Sequence, residues 1–292
     1  MHYTGTLYIN PYEPSSPLLE VTQGCTHNKC KFCNMYKSIP FRMSPLNWIE
    51  EDLQEIANCY PDTTRLQLVG ADPFCMDFKH LATICDLVHQ YLPKVLTMTM
   101  GARVTNVKNK TVEELRILRE KGITEINLGV ESGDDWTLDR INKGYHSADI
   151  IEQCQKLDLA GINYWMTFLN GVTGKSHSLE HAINSAKIFS QCNPTVVGTG
   201  GLTLFEGTEL CSEAENGIFD PLDEKELMIE LKTFIKNLTC EPKKFITHHT
   251  SSLNLTGPFL SRKHEMIEAI QYGIDHFDMK KLSERRNKKE YL

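Results

Sequence analysis

Gly24-Cys25-Thr26-His27-Asn28-Lys29-Cys30-Lys31-Phe32-Cys33-Asn34-Met35-Tyr36 follows directly on an apolar, strand-like run, Pro17 to Thr22. Four residues separate the first two cysteines and two separate the second from the third, so three thiolates can turn onto one small centre from a single loop. Three readings fit that spacing. Three thiolates can hold three irons of a four-iron cubane and leave the fourth without a protein ligand, which keeps the open coordination position that catalysis at a metal requires. Three thiolates with His27 could make a tetrahedral zinc site, although a histidine two residues from Cys25 is awkwardly close. The third reading is a group of unliganded buried thiols. Cys59, Cys75, Cys85, Cys154, Cys192, Cys211 and Cys240 share no such spacing and read as small core residues.

Outward from this loop, apolar runs recur at Arg65 to Val69, Val95 to Met100, Ile123 to Val130, Tyr164 to Leu169 and Thr195 to Leu204, with helical patterns between them. Ser44 reads as the N-cap of the first helix, with Pro45 at its first position and Ile49, Leu53, Ile56 and Tyr60 on one face. Thr111 and Glu114 make a capping box for a helix that stops at Gly122. Ser147 opens another with Ile150, Ile151, Cys154 and Leu157 inward, and later helices follow Ser178 and Asp223. Six strand-then-helix repeats predict a parallel sheet, because each crossover must carry the chain back to its starting edge. The expected class is α/β, a partial (β/α)6 barrel of the TIM type with a helical C-terminal extension; an open doubly wound sheet has the same periodicity. The expected division is a barrel over 1–209 and a helical extension packed on it over 210–292.

The chain has 292 residues, 40% hydrophobic and 24% charged, enough apolar material for a large core. With 31 Lys and Arg against 38 Asp and Glu, the net charge of -7 argues against general nucleic-acid binding. No apolar run approaches the ~20 residues that cross a bilayer, and the first residues lack the basic-then-apolar order of a signal peptide. The chain therefore reads as cytoplasmic, with no membrane role. The tail from Lys280 to Leu292 is basic, and its simplest reading is a solvated helix end.

The cysteine loop at the end of a first barrel strand resembles that of the radical S-adenosylmethionine (SAM) enzymes, in the branch with four and then two intervening residues that is described as iron–sulfur oxidoreductases. The resemblance runs from PYEPSSPLLEVTQGC through VGADPF, MGARV, INLGVESG, RINKG and FEGTEL. It implies a [4Fe–4S] cluster on Cys25, Cys30 and Cys33, with SAM chelating the open iron through its amine and carboxylate. One electron then cleaves SAM to methionine and a 5′-deoxyadenosyl radical, which takes hydrogen from substrate. The cofactors carry the chemistry, so the protein must bind, orient and exclude water.

The resemblance also implies roles for further residues. Gly70-Ala71-Asp72-Pro73 is similar to the family's Gly-Gly-Glu-Pro motif, which holds the SAM amine. Asp72 is one methylene shorter than Glu, so the Gly70 carbonyl is an alternative contact. Alternation in the fourth predicted strand sets Asn127, Gly129 and Glu131 opposite Ile126, Leu128 and Val130 and leaves Glu131 at the barrel mouth. There the resemblance implies that it accepts from the SAM ribose, with Ser132 as a second candidate. Lys143 stands where related enzymes place a cation for the SAM carboxylate, and Arg103 could serve instead or grip substrate. Phe32 and Tyr36 are candidates for adenine contact or for shielding the cluster, and Asn170 and Thr173 lie near the expected path of SAM.

Gly171 to Ser176 lacks the glycine spacing of a phosphate loop, and Gly198 to Gly201 lacks the third glycine of a dinucleotide fingerprint. No catalytic hydrogen or proton donor is assigned. Candidates for the lumen or its cap are His248, His249, Asn254, Tyr164, Trp165, Cys75 and Cys211. The expected electron donor is flavodoxin or ferredoxin, and the expected substrate a small molecule or peptide. The rival reading is a non-catalytic haem or iron–sulfur chaperone on the same barrel.

Overall fold

The computed structural model describes residues 1–9, 15–249 and 255–287. Its strands are β1 (Leu18–Glu20), β2 (Thr22–Gln23), β3 (Arg42–Met43), β4 (Arg65–Val69), β5 (Thr97–Ala102), β6 (Ile123–Glu131), β7 (Asn163–Asn170), β8 (Val196–Gly201), β9 (Lys244–His249) and β10 (Thr256–Gly257). Eight of them form one sheet in the order β1-β4-β5-β6-β7-β8-β9-β10. Parallel registers run from β1 through β6 and from β7 through β9, and β10 pairs antiparallel with β9. Helices cross between successive parallel strands, giving the unclosed α/β sheet of a partial TIM-type barrel.

Contacts divide the chain into two compact units. The first holds Met1–Asn28, Met35–Gly129 and Gln153–Tyr164; the second holds Lys29–Asn34, Val130–Glu152 and Trp165–Leu292.

In the first unit the apolar face of the strands, Leu19, Leu66, Leu68, Met98, Met100, Ile126 and Leu128, is fully covered, as are Ile49, Leu53, Leu81, Val88, Leu115 and Leu118 on its helices. This is the ordinary driving force of an α/β layer. The opposite face mixes polar groups with Leu18 and Val69: Gln67 stands beside Leu18 and Thr99 in register, and Glu20 beside Val69. The two-stranded pair β2–β3, with Thr22 opposite Met43 and Gln23 opposite Arg42, brackets the cysteine loop. Neither strand was expected from the sequence, because two residues carry no periodicity.

Thr111 and Glu114 make the expected capping box. Ser44 does not cap its helix. Leu46–Cys59 starts after Pro45 with no side-chain cap, and the Ser44 hydroxyl donates instead to the Glu20 carbonyl at 2.9 Å. Pairing of β3 with β2 turns the side chain toward β1, so a tertiary acceptor replaces the local one. Tyr60, expected on the inward face, is exposed just beyond that helix.

In the second unit, Phe168 of β7 stacks on Phe234 at 4.1 Å, and Phe189 meets Phe234 edge-on at 5.5 Å. Asp223 and Glu226 form a second capping box on the helix Glu224–Asn237. The region from 210 contains the expected helices but also β9 and β10, which extend the sheet. β9 has no strand signature in the sequence, because its apolar content is confined to Phe245 and Ile246. The last described helix, Met279–Asn287, is docked rather than only solvated: Arg286 Nε lies 2.9 Å from Glu224, and Arg286 Nη2 donates to the Leu222 carbonyl at 3.2 Å. Among the described residues, no helix is long and apolar enough to cross a membrane.

Candidate functional site

Gly24 enters the cysteine loop at φ 67°, and a Cβ there would lie 2.7 Å from the carbonyl oxygens of Ile39 and Pro40. Only glycine lets the two ends of the loop approach so closely. In the first unit, the Asn28 amide donates to Cys25 Sγ at 3.4 Å, which ties the sulfur to the turn that follows it. The Asn28 side chain then closes the turn on the Tyr36 carbonyl at 2.7 Å. Tyr36 is buried, with its ring edge-on to Tyr8 at 5.3 Å.

Gly70, at φ 141°, ends β4 against Thr22; a Cβ would sit 2.1 Å from Thr22 Oγ1 and 2.5 Å from its carbonyl oxygen. Two residues on, Asp72 is completely buried and its carboxylate accepts from both the amide and the hydroxyl of Thr26, the amide at 3.2 Å. Burial pushes the Asp72 carboxyl up, and the Thr26 bonds oppose that rise. The side chain expected to face the SAM amine is thus occupied in fastening the residue after Cys25. Arg103, also buried, leaves β5 and opens the helix Val104–Lys108, with its amide bonded to Asn106 Oδ1 at 2.7 Å.

In the second unit, Glu131 ends β6 at φ 68°, in the left-handed region. For a side chain larger than glycine that conformation costs about 1–2 kcal/mol and is concentrated at functional positions. Burial pushes its carboxyl up, while Lys143 and the Thr167 hydroxyl pull the other way. The buried Lys143 ammonium lies 3.9 Å from Glu131 Oε1, beside the rings of Tyr145 (5.6 Å to the centroid) and Phe32 (5.9 Å). Tyr145 is fixed by its hydroxyl on the Val130 carbonyl at 3.1 Å. Phe32 packs on an apolar cluster that includes Ile141, Leu169, Leu202 and Leu210.

Ser132 is buried, and its Oγ accepts from the Asp134 amide at 3.0 Å and stands 3.4 Å from Ser185 Oγ. Asn170 is buried at the end of β7; its amide donates to the Leu227 carbonyl at 2.9 Å, and its Oδ1 has no partner among the described residues.

The three cysteines of the loop are half-buried and joined in no disulfide. Among the described residues no three His, Cys, Asp or Glu side chains are already arranged around a metal position. The fit therefore rests on donor chemistry: three accessible thiols, one already held by an amide donor, against Cys85 and Cys240, whose thiols burial pushes up to about 12. Cys75 is likewise pushed up to about 12, and Tyr164 is a core residue bonded to Asp158 at 3.4 Å. The side chains of His248 and His249, and all of Asn254, lie outside the described residues. Thr26, Lys31, Tyr145 and Glu213 were not singled out from the sequence, since their roles depend on partners distant in the chain.

The family model described as the radical SAM superfamily matches residues 19–187. The heme chaperone HemW of Bacillus subtilis (strain 168) is 25% identical over 170 residues, 56% of this chain and 44% of that protein. HemW of Buchnera aphidicola subsp. Acyrthosiphon pisum (strain APS) is 21% identical over 241 residues, 77% of this chain and 62% of that one. The chain thus spans roughly half the length of these curated relatives. Among solved structures, coproporphyrinogen III oxidase (HemN) from Escherichia coli matches with a TM-score of 0.56 at 14% identity, over 76% of this chain and 51% of that one. Methylornithine synthase (PylB) matches with a TM-score of 0.54 at 19% identity, over 77% of this chain and 63% of that one. At those identities the likeness is one of fold. A [4Fe–4S] cluster and SAM are the cofactors of this family. With more than half of its length matched by the family model, the chain belongs to the radical SAM superfamily.

Proposed function

We propose that the chain is a catalytic member, which cleaves SAM reductively at a [4Fe–4S] cluster and directs the 5′-deoxyadenosyl radical at a small-molecule or peptide substrate. The observation that carries this reading is the fastening of the cysteine loop around thiols left accessible. In the first unit Thr26, next to half-buried Cys25, is hooked to buried Asp72; in the second, Lys31, next to half-buried Cys30, is bonded through its backbone to Ile141 and Leu210, with Cys33 two residues on and also half-buried. Structural thiols need no such arrangement.

In this reading Cys25, Cys30 and Cys33 are the ligands. The Gly70 carbonyl takes the SAM amine, because Asp72 is committed to Thr26. Lys143 supplies the cation for the carboxylate, and Glu131 accepts from the vicinal ribose hydroxyls, with Ser132 beside it. Arg103, Asn170, Phe32 and Tyr36 are further candidates for cofactor contact, Asn170 through its unpartnered Oδ1. Flavodoxin or ferredoxin supplies the electron in the cytoplasm. The proposed organisation keeps 1–209 as the cofactor-binding barrel and 210–292 as an extension packed on it.

Anaerobically reconstituted protein given dithionite and SAM is expected to release 5′-deoxyadenosine, and Cys30→Ala to lose both iron and release. Iron bound without release would leave the second reading, a haem chaperone, which the likeness to HemW favours. That reading requires a stoichiometric Soret change on titration with haem. One zinc and no iron per chain would remove both.

A further inference from the structure

The segment Lys29–Asn34 carries two of the three cysteines, and within the second unit it is held from several sides. The Lys31 amide donates to the Ile141 carbonyl at 3.1 Å, and the Lys31 carbonyl accepts from the Leu210 amide at 3.0 Å. These bonds go to two elements far apart in the chain, the turn after the helix Asp135–Arg140 and the start of the helix Glu209–Glu215. Asn142 adds a bond from its side-chain amide to the Lys29 carbonyl at 3.2 Å. Phe32 packs against the apolar cluster to which Ile141 and Leu210 both belong, so the apolar packing involves the same elements.

The charged groups repeat the pattern. Lys31 Nζ lies 2.6 Å from Glu209 and 2.8 Å from Glu213 Oε1, while Arg140 bonds the other oxygen of Glu213. Glu209 is 60% exposed and Glu213 only 15%, which decides between them. An exposed pair contributes little, whereas a carboxylate withdrawn from water and shared by two cations has strong, geometrically fixed bonds. Burial alone would push the Glu213 carboxyl up; Arg140 and Lys31 more than offset it and hold it below its ordinary value. Without Glu213 the link between the two cations is lost, and Lys31 keeps only the exposed Glu209.

The geometry points to Glu213 as a positioning residue that fixes the Cys30–Cys33 segment for its ligand role by tying Lys31 to Arg140. A cluster tolerates little error in sulfur position, and a short loop has no secondary structure of its own to supply that accuracy. The helix Glu209–Glu215, from a stretch outside the cysteine loop, supplies it. The inference rests on the reading of Cys30 and Cys33 as cluster ligands.

The test separates the two ideas. In metal-free, full-length protein, Glu213→Gln is expected to speed amide exchange of residues 29–34 by about tenfold, the loss of one charge-assisted bond. Exchange in β8 should not change, which a general loss of stability would not leave untouched. Lys31→Met should have the same local effect, and the double variant should be no faster than either single one. After anaerobic reconstitution, iron should pass to a chelator about tenfold faster from Glu213→Gln than from the parent. Unchanged exchange at 29–34, or faster exchange throughout, overturns the clamp whether or not iron binds. Locally faster exchange with unchanged iron loss overturns the ligand role of the segment and leaves the clamp as a bare structural fact.

Discussion

Glu131 offers a way to separate what the fold tolerates from what function requires. Its φ of 68° is a conformation that glycine adopts freely and glutamate does not. Compare Glu131→Gly with Glu131→Gln. Both remove the carboxylate that burial penalises and the 3.9 Å approach to Lys143, so those contributions cancel between the variants. What remains is the backbone. Relief of the left-handed strain favours glycine by about 1–2 kcal/mol, and its larger unfolded-state entropy opposes this by about 0.5–1 kcal/mol. Glu131→Gly should therefore exceed Glu131→Gln in stability by about 0.5–1 kcal/mol, read as a higher urea midpoint in the metal-free protein. Reconstituted with iron and sulfide, both variants should bind SAM about 10- to 100-fold more weakly, because each lacks a charged acceptor for the ribose hydroxyls. A glycine variant no more stable than the glutamine variant would refute the strain argument. Undiminished SAM affinity in both would refute the ribose assignment.

Three further outcomes follow from individual contacts. Lys110 is buried, bonds the Phe74 carbonyl at 2.7 Å, and is lowered by burial from 10.5 to about 8. Between those values the unfolded chain holds the proton and the folded chain does not, so stability should rise as pH climbs from 8 to 10.5, by at most on the order of 3 kcal/mol. Urea midpoints across that window should flatten relative to the parent in Lys110→Met, and parallel curves would count against a desolvated ammonium. Gly70→Ala forces a Cβ to within 2.5 Å of the Thr22 carbonyl, where the β2–β3 pairing blocks retreat. It should lose about 3 kcal/mol or fail to accumulate as soluble protein; Gly5→Ala, with nothing within 4 Å, is the neutral control, and equal stability of the two would sink the argument. Glu230→Gln should cost about 3 kcal/mol in thermal or urea unfolding. The fully buried Glu230 carboxylate accepts from His181 Nδ1 at 3.0 Å and from the Gly171 amide at 2.5 Å, and an amide side chain can satisfy only one of these donors. A change within experimental error would show that the pair is not acting as a buried acceptor.

The parts legible in the sequence are those whose physics is local. Alternation in β6 placed Ile126, Leu128 and Val130 in the core and Glu131 opposite them because strand geometry repeats every two residues. The boxes at Thr111 and Asp223 were readable or nearly so because a cap and its donor lie within one helical turn. The cysteine spacing was readable for a related reason, since donors close in the chain can turn onto one centre without help from the rest of the fold. Ser44 carried the right cap chemistry, but a bond to Glu20 twenty-four residues away won. Asp72 announced a carboxylate without announcing that Thr26 would take it. Lys31 and Glu213 are 182 residues apart, and no periodicity connects them. The division has a physical origin. A residue that meets a cofactor must be of one chemical type, and type is visible in a sequence; a residue that holds a loop needs only a partner, and partnership is a property of the fold. On that argument the Lys31–Glu213–Arg140 tie should tolerate an exchange of its partners that preserves the links, whereas Cys25, Cys30 and Cys33 should tolerate none.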